Sequence, residues 1–123
     1  MSGIRTIFAI AGAAFLSTSV LSARAAAAMT IGCHIRATKQ GDALRLEAVA
    51  EGRSAANGSY RFEVSKISST GTSQNVQSGE FRLHRNRDEL LTTVILDGSA
   101  VGHYSARLTL NSTEFGSVSC VSP

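Results

Sequence analysis

The chain has 123 residues, with twelve Lys and Arg against nine Asp and Glu for a formal net charge of +3, two cysteines, one proline and no tryptophan. That length holds one domain, and the charge is too small and too dispersed for a protein that binds nucleic acid through its backbone. Arg5 and Arg24 belong to a leader segment, so ten cations face nine anions in the remainder, a net +1.

The first residues read as a secretory signal peptide. Arg5 supplies the positive start, residues 7–16 the apolar stretch, and residues 22–28 the small side chains a peptidase requires. Ser17, Thr18, Ser19 and Ser22 interrupt the apolar run, whereas a bilayer span takes about 20 predominantly apolar residues. The expectation is a cleaved leader over residues 1–25, a mature domain over residues 26–123, release into the periplasm and no stable membrane insertion. A domain of that size has a modest core and a thin stability margin. Cys33 and Cys120 are the only cysteines, 87 positions apart, and export places them where disulfides persist. Pairing them gives a structural bridge whose loop closure is worth roughly 4.6 kcal/mol in the chain-entropy model. A redox role would need a close cysteine pair, which the sequence lacks.

Downstream of the leader the pattern has a period of two, punctuated by Gly, Asn, Asp and Ser. Ile31, Cys33, Ile35 and Ala37 share one face of a first strand. Residues 39–42 make a turn, and Leu44, Leu46, Ala48 and Ala50 point inward on a second strand while Arg45 and Glu47 point out. Residues 52–58 read as a loop. Tyr60, Phe62 and Val64 alternate with Arg61, Glu63 and Ser65 on a third strand. Residues 68–75 are polar and read as a flexible connection into a fourth strand that carries Phe81 and Leu83. The nearly continuous apolar run over residues 90–96 predicts a central, covered strand, because exposed at an edge it would invite aggregation. Tyr104, Ala106, Leu108 and Leu110 mark a sixth strand, Val118 and Cys120 a seventh. Seven strands predict an all-β, immunoglobulin-like sandwich, with Tyr104 near the position of the tyrosine corner of such folds. Asn57-Gly-Ser59 and Asn111-Ser-Thr113 read as two further turns.

Catalysis is not expected. No Gly-x-Ser-x-Gly elbow is present, and His34, His84 and His103 have no zinc-ligand spacing with the cysteines. Glu47, Glu51, Glu63 and Glu80 read as solvated surface rather than a paired acid and base, Glu47 and Glu63 standing beside basic neighbours. Neither a cofactor nor a metal is implied. The most distinctive surface stretch is Arg82-Leu-His-Arg-Asn-Arg-Asp-Glu89, which gathers Arg82, His84, Arg85 and Arg87 around one strand end. Such a cluster steers anionic or polar partners over a Debye length of about 8–10 Å, or else it solubilises an edge.

The segment Gly58-Ser-Tyr-Arg-Phe-Glu-Val-Ser-Lys66, with Gln77-Ser-Gly-Glu-Phe81 after it, resembles the curli assembly chaperones of the CsgC/CsgH type, the CsgH branch in particular. The resemblance implies a periplasmic immunoglobulin-like sandwich that keeps amyloid subunits of curli fibres from nucleating before they leave the cell. Those subunit polypeptides would be its partners, and the protein itself a monomer. The other branch carries a Cys-x-Cys pair that is absent here, so no redox role is carried over. The resemblance further implies electrostatic guidance, for which Arg61, Lys66, Arg82, Arg85, Arg87 and Arg107 are the available partner-binding positions. Two rivals stand beside this reading: an inhibitor of a hydrolase that binds through the connection at residues 68–75, and a minor fimbrial subunit that exchanges edge strands. A free alternating extension would mark the second, and Cys33 ties down the first strand instead.

Overall fold

The computed structural model describes residues 30–69 and 71–122. The leader predicted over residues 1–25 lies outside them. Seven strands run in chain order: β1 (Ile31–Gln40), β2 (Ala43–Gly52), β3 (Ala56–Ser68), β4 (Gly71–Leu83), β5 (Arg87–Asp97), β6 (Tyr104–Ser112) and β7 (Gly116–Val121), with a short 3-10 turn at Gly98–Ala100. They form two antiparallel sheets, one of three strands in the order β1-β2-β5 and one of four in the order β4-β3-β6-β7. This is the all-β, seven-stranded sandwich predicted from the alternation.

The period-two residues meet in the middle. Leu44, Leu46, Ala48 and Ala50 on β2 pack with Phe62 and Val64 on β3, Phe81 and Leu83 on β4, and Ala106, Leu108 and Leu110 on β6. Phe62, Leu46, Leu108 and Leu110 are fully shielded from solvent, each worth about 1.5–3 kcal/mol of transfer free energy. No polar or charged residue is buried among the described residues. The first turn closes in two residues, since Gln40 pairs with Ala43. Gly41 there takes φ +61°, a left-handed conformation that glycine adopts without steric cost. Tyr104 stands at the head of β6 and packs on the core, but its hydroxyl makes no hydrogen bond among the described residues, so the tyrosine corner is not formed.

Cys33 on β1 and Cys120 on β7 are joined, with their Cα atoms 6.1 Å apart. The bridge ties the edge of one sheet to the edge of the other and closes that side of the sandwich. On the opposite side, Thr92 of β5 donates a hydrogen bond to the Gln77 carboxamide oxygen of β4. At one end, the Lys66 ammonium reaches across to Asp97 at 3.0 Å.

Four further sequence expectations are corrected. Ser68 and residues 71–75, expected in a flexible connection, are strand: β3 and β4 pair without a register shift from Ala56↔Leu83 to Ser68↔Gly71. Neither side of β4 over residues 71–76 is covered, so no apolar alternation is required there, and the pairing to β3 alone makes it a strand. The loop at residues 52–58 contracts for the same reason, with β3 starting at Ala56, and Asn57 and Asn111 accordingly lie in strands rather than turns. The apolar run of residues 90–96 lies in an edge strand, not a central one. The β2–β5 register slips between Ala48 and Val49 and leaves Leu91 as the extra residue of a bulge. The slip turns Leu91 toward the core along with Val94 and Leu96, while Leu90 and Ile95 stay about half exposed. A bulge inside the run removes the alternation that would have revealed an edge.

Candidate interaction surface

In an antiparallel sheet, residues directly opposite one another share a face. On the outer face of the four-stranded sheet, Arg61 of β3 therefore stands between Ser78 of β4 and Thr109 of β6, and Glu63 stands between Val76 and Arg107. Arg61 Nη2 lies 3.3 Å from Glu63 Oε2. Glu63 is thus flanked by two guanidinium groups, and Arg107 makes no ion pair among the described residues. Arg82 shares this face, opposite Asn57. It lies four residues along β4 from Ser78, roughly 13 Å farther down the sheet at about 3.3 Å per residue. Hydroxyl and carboxamide side chains make up much of the rest of the face, Ser59, Ser78, Ser105, Thr109, Asn111, Ser117 and Ser119 among them, together with Glu80 opposite Ser59 and Val121 opposite Arg107.

Arg82 borders an open concavity of about 1100 Å3 that also takes in Asn57, Ser59, Glu80, Asn111 and Ser117. Glycine is required at its base, since a Cβ on Gly58 would stand 2.4 Å from the Asn111 carbonyl oxygen and 2.8 Å from the Phe81 ring. Its wall is fixed by polar contacts that fasten the β6–β7 turn to the start of β3. The Asn57 amide donates to Glu114 Oε1 at 2.8 Å, and the Ser112 hydroxyl donates to the Asn57 carbonyl at 2.6 Å.

The remaining basic positions divide. Arg85 and Arg87 sit on the tight β4–β5 corner, where Asn86 takes φ +59° and the Arg87 amide donates to the His84 carbonyl at 3.2 Å. Gly52 permits the corner to close, since a Cβ there would stand 3.1 Å from both the His84 and the Arg87 carbonyl oxygens. Arg82, Arg85 and Arg87 thus gather at one end of the molecule, and none of them makes an ion pair among the described residues. Lys66 does not join them. It stands opposite Tyr104 on the core-facing side of β3, at the other end of the strand from Asn57, and its charge is engaged with Asp97. Asp97 also accepts hydrogen bonds from the Ser99 hydroxyl and amide. Those Ser99 bonds, with help from Lys66, hold its carboxyl down to about 2.

The outer face of the three-stranded sheet is built differently. Glu47 lies between Arg36, whose Nε is 2.9 Å away, and Arg45 at 3.4 Å. The hydrogen bond from Arg36 leads in lowering its pKa. His34 Nδ1 lies 2.5 Å from Glu51 Oε2 on the same face. The arginines nearest Glu47 are thus engaged within the sheet. Among the described residues no group of three His, Cys, Asp or Glu side chains is placed to hold a metal.

The family model of the CsgH protein matches residues 32–121, essentially the whole sandwich. The chain belongs to the CsgH family. Among solved structures, the solution structure of R. palustris CsgH is 26% identical, with a TM-score of 0.62 over 73% of this chain and 90% of that one. The "E. coli curli protein CsgC" is 19% identical, with a TM-score of 0.66 over 76% of this chain and 99% of that one, a likeness of fold. No curated protein sequence matches. Relative to the CsgH resemblance carried by residues 58–66 and 77–81, the match extends the similarity to every strand. The concavity beside Arg82 was not legible beforehand, because its residues come from β3, β4, β6 and β7 and only the register brings them together.

Proposed function

We propose that this protein is a periplasmic chaperone that keeps curli-type amyloid subunits from nucleating, through transient contacts guided by charge. Membership of the CsgH family over residues 32–121 is the observation that carries the reading, supported by a likeness of fold to the E. coli curli protein CsgC. The outer face of the four-stranded sheet adds chemistry suited to it. Arg82 and Arg107 on this face, and Arg85 and Arg87 on the adjoining β4–β5 corner, make no ion pair among the described residues, and Ser, Thr and Asn side chains share the face with the first two. A polar, partly anionic chain meets steering charge and hydrogen-bonding partners there, with no deep apolar pocket to hold it long. Fast exchange of that kind suits an inhibitor whose target is a rare nucleus rather than the bulk monomer. The site binds rather than catalyses in this proposal.

Two observations weigh against the rival readings. The irregular loop expected of a hydrolase inhibitor is replaced by paired strand at Ser68 and residues 71–75. A donor-strand subunit needs a free first strand, and β1 is paired along its length with β2 and bridged to β7.

The test is fibril formation by a curli major subunit, followed with an amyloid dye, with the exported protein well below equimolar. A lengthened lag is expected. An unchanged lag at equimolar protein overturns the proposal.

A further inference from the structure

A sandwich of two open sheets has four edges, and an exposed edge is a ready template for another strand unless it is blunted. Three of the four are blunted here. β7 has only six residues and is bridged to β1 through Cys120. β1 carries Arg36 and Lys39 and is held at Cys33. β5 begins Arg87-Asp88-Glu89, ends at Asp97, and is broken by the bulge at Leu91.

β4 has none of these devices over residues 71–76, before Gln77 meets Thr92 of β5. It is 13 residues long and pairs with β3 without a register shift. Residues 71–79 contain no charged residue and no proline, and residues 71–76 are exposed. The first charges, Glu80 and Arg82, come only at its far end.

We infer that the free edge of β4 receives an extended, uncharged, carboxamide-bearing polypeptide segment as a fifth strand of the four-stranded sheet. This deepens the proposed function and rests on it. The main chain of an edge strand presents N–H and C=O groups that only another strand can satisfy in a ladder. The composition of β4 selects what is laid against it. A charged strand would be desolvated along residues 71–79 with no countercharge, whereas a neutral one loses little. Gln74 and Asn75 project to opposite sides of the strand, so a Gln- or Asn-bearing partner extends an amide ladder on either face. Val76, 42% exposed, supplies one apolar contact, and Glu80 and Arg82 set the limit of the uncharged tract.

The asymmetry of the molecule gives such binding its effect. A strand array that adds β4 at its end is followed by β3, β6 and then β7, which is short and bridged. Growth at that end stops.

The experiment uses 15N-labelled exported protein and a blocked octapeptide of Gln, Asn, Ser and Val, followed by NMR. A second peptide of the same sequence carries N-methyl groups on alternate amides. Amide shifts confined to β4, lost with the methylated peptide, are expected. A Gln74→Lys/Val76→Lys variant, which places charge on two exposed side chains, should bind the peptide at least tenfold more weakly with an unchanged melting temperature. It should also delay subunit fibrillation at least fivefold less. No shifts, shifts on β1, β5 or β7, equal binding of the methylated peptide, or full inhibition by the variant would overturn strand addition. Failure of the unaltered protein to delay fibrillation would instead overturn the chaperone reading itself.

Discussion

Lys66 and Asp97 clasp the two sheets at one end of the sandwich, with Nζ 3.0 Å from Oδ2. The lysine leaves the core-facing side of β3 and the aspartate closes β5, so each sheet supplies one partner. Asp97 also caps the 3-10 turn through Ser99. One carboxylate therefore serves both an intersheet contact and a turn.

Acid should loosen this corner. Asp97 has its pKa held at about 2, principally by Ser99 and then by Lys66, against about 3.9 in an unfolded chain. Between those values the folded state binds fewer protons than the unfolded one. The contribution is complete above about pH 4 and is lost as pH falls toward 2. Urea denaturation at pH 7, 4 and 2 should show stability falling over the lower interval, and Asp97→Asn should reduce the part of that fall due to this site. An identical pH profile in the variant would show that the corner contributes nothing.

Removing the bridge should cost more than removing any surface contact. A Cys33→Ala/Cys120→Ala variant is expected to lose about 2–5 kcal/mol, read as a lower denaturant midpoint. For a domain with so modest a core, that is a large share of its stability. Retention of the original midpoint would mean that the paired sheets alone hold the edges.

Phe62 is wholly buried between the sheets, and Phe62→Ala should destabilise by about 3–5 kcal/mol through lost transfer energy and the cavity left behind. Val76, on the outer face of the next strand, should tolerate alanine within about 0.5 kcal/mol. Equal effects at the two sites would contradict the assignment of faces.

Arg107 and Arg61 flank the same carboxylate but only Arg61 is paired with it. In a fibrillation assay, Arg107→Gln should therefore shorten the lag produced by the protein more than Arg61→Gln does. An Arg82→Gln/Arg85→Gln/Arg87→Gln variant should both weaken inhibition and reduce its dependence on salt, since screening acts on the charges removed. The circular dichroism spectrum should not change. Undiminished inhibition with the same salt dependence would exclude guidance by this cluster.

The strands with one wet face were legible in the sequence because burial on a single side imposes a period of two. β2, β3 and β6 follow it closely: Leu44, Leu46, Ala48; Tyr60, Phe62, Val64; Ala106, Leu108, Leu110. Where that physical cause is absent, the signal disappears. β4 begins with residues exposed on both sides and looks like a loop. β5 contains a bulge and looks like a central strand. The cysteines were legible because only one pairing is available. The fate of Lys66 was not, since alternation places it inward and only the opposing sheet shows what it meets there. Register is equally invisible along the chain, so the approach of Arg61 and Arg107 around Glu63, 44 positions apart in sequence for the latter pair, emerges only from β3 lying beside β6.

The bridge between the first and last strands also makes completion of the fold depend on where the chain is. A polypeptide still in a reducing environment has both cysteines as thiols, and its two terminal strands are then held by pairing and packing alone. In the periplasmic role proposed above, oxidation after export would fasten both ends in a single step, and maturation would wait for that oxidising compartment.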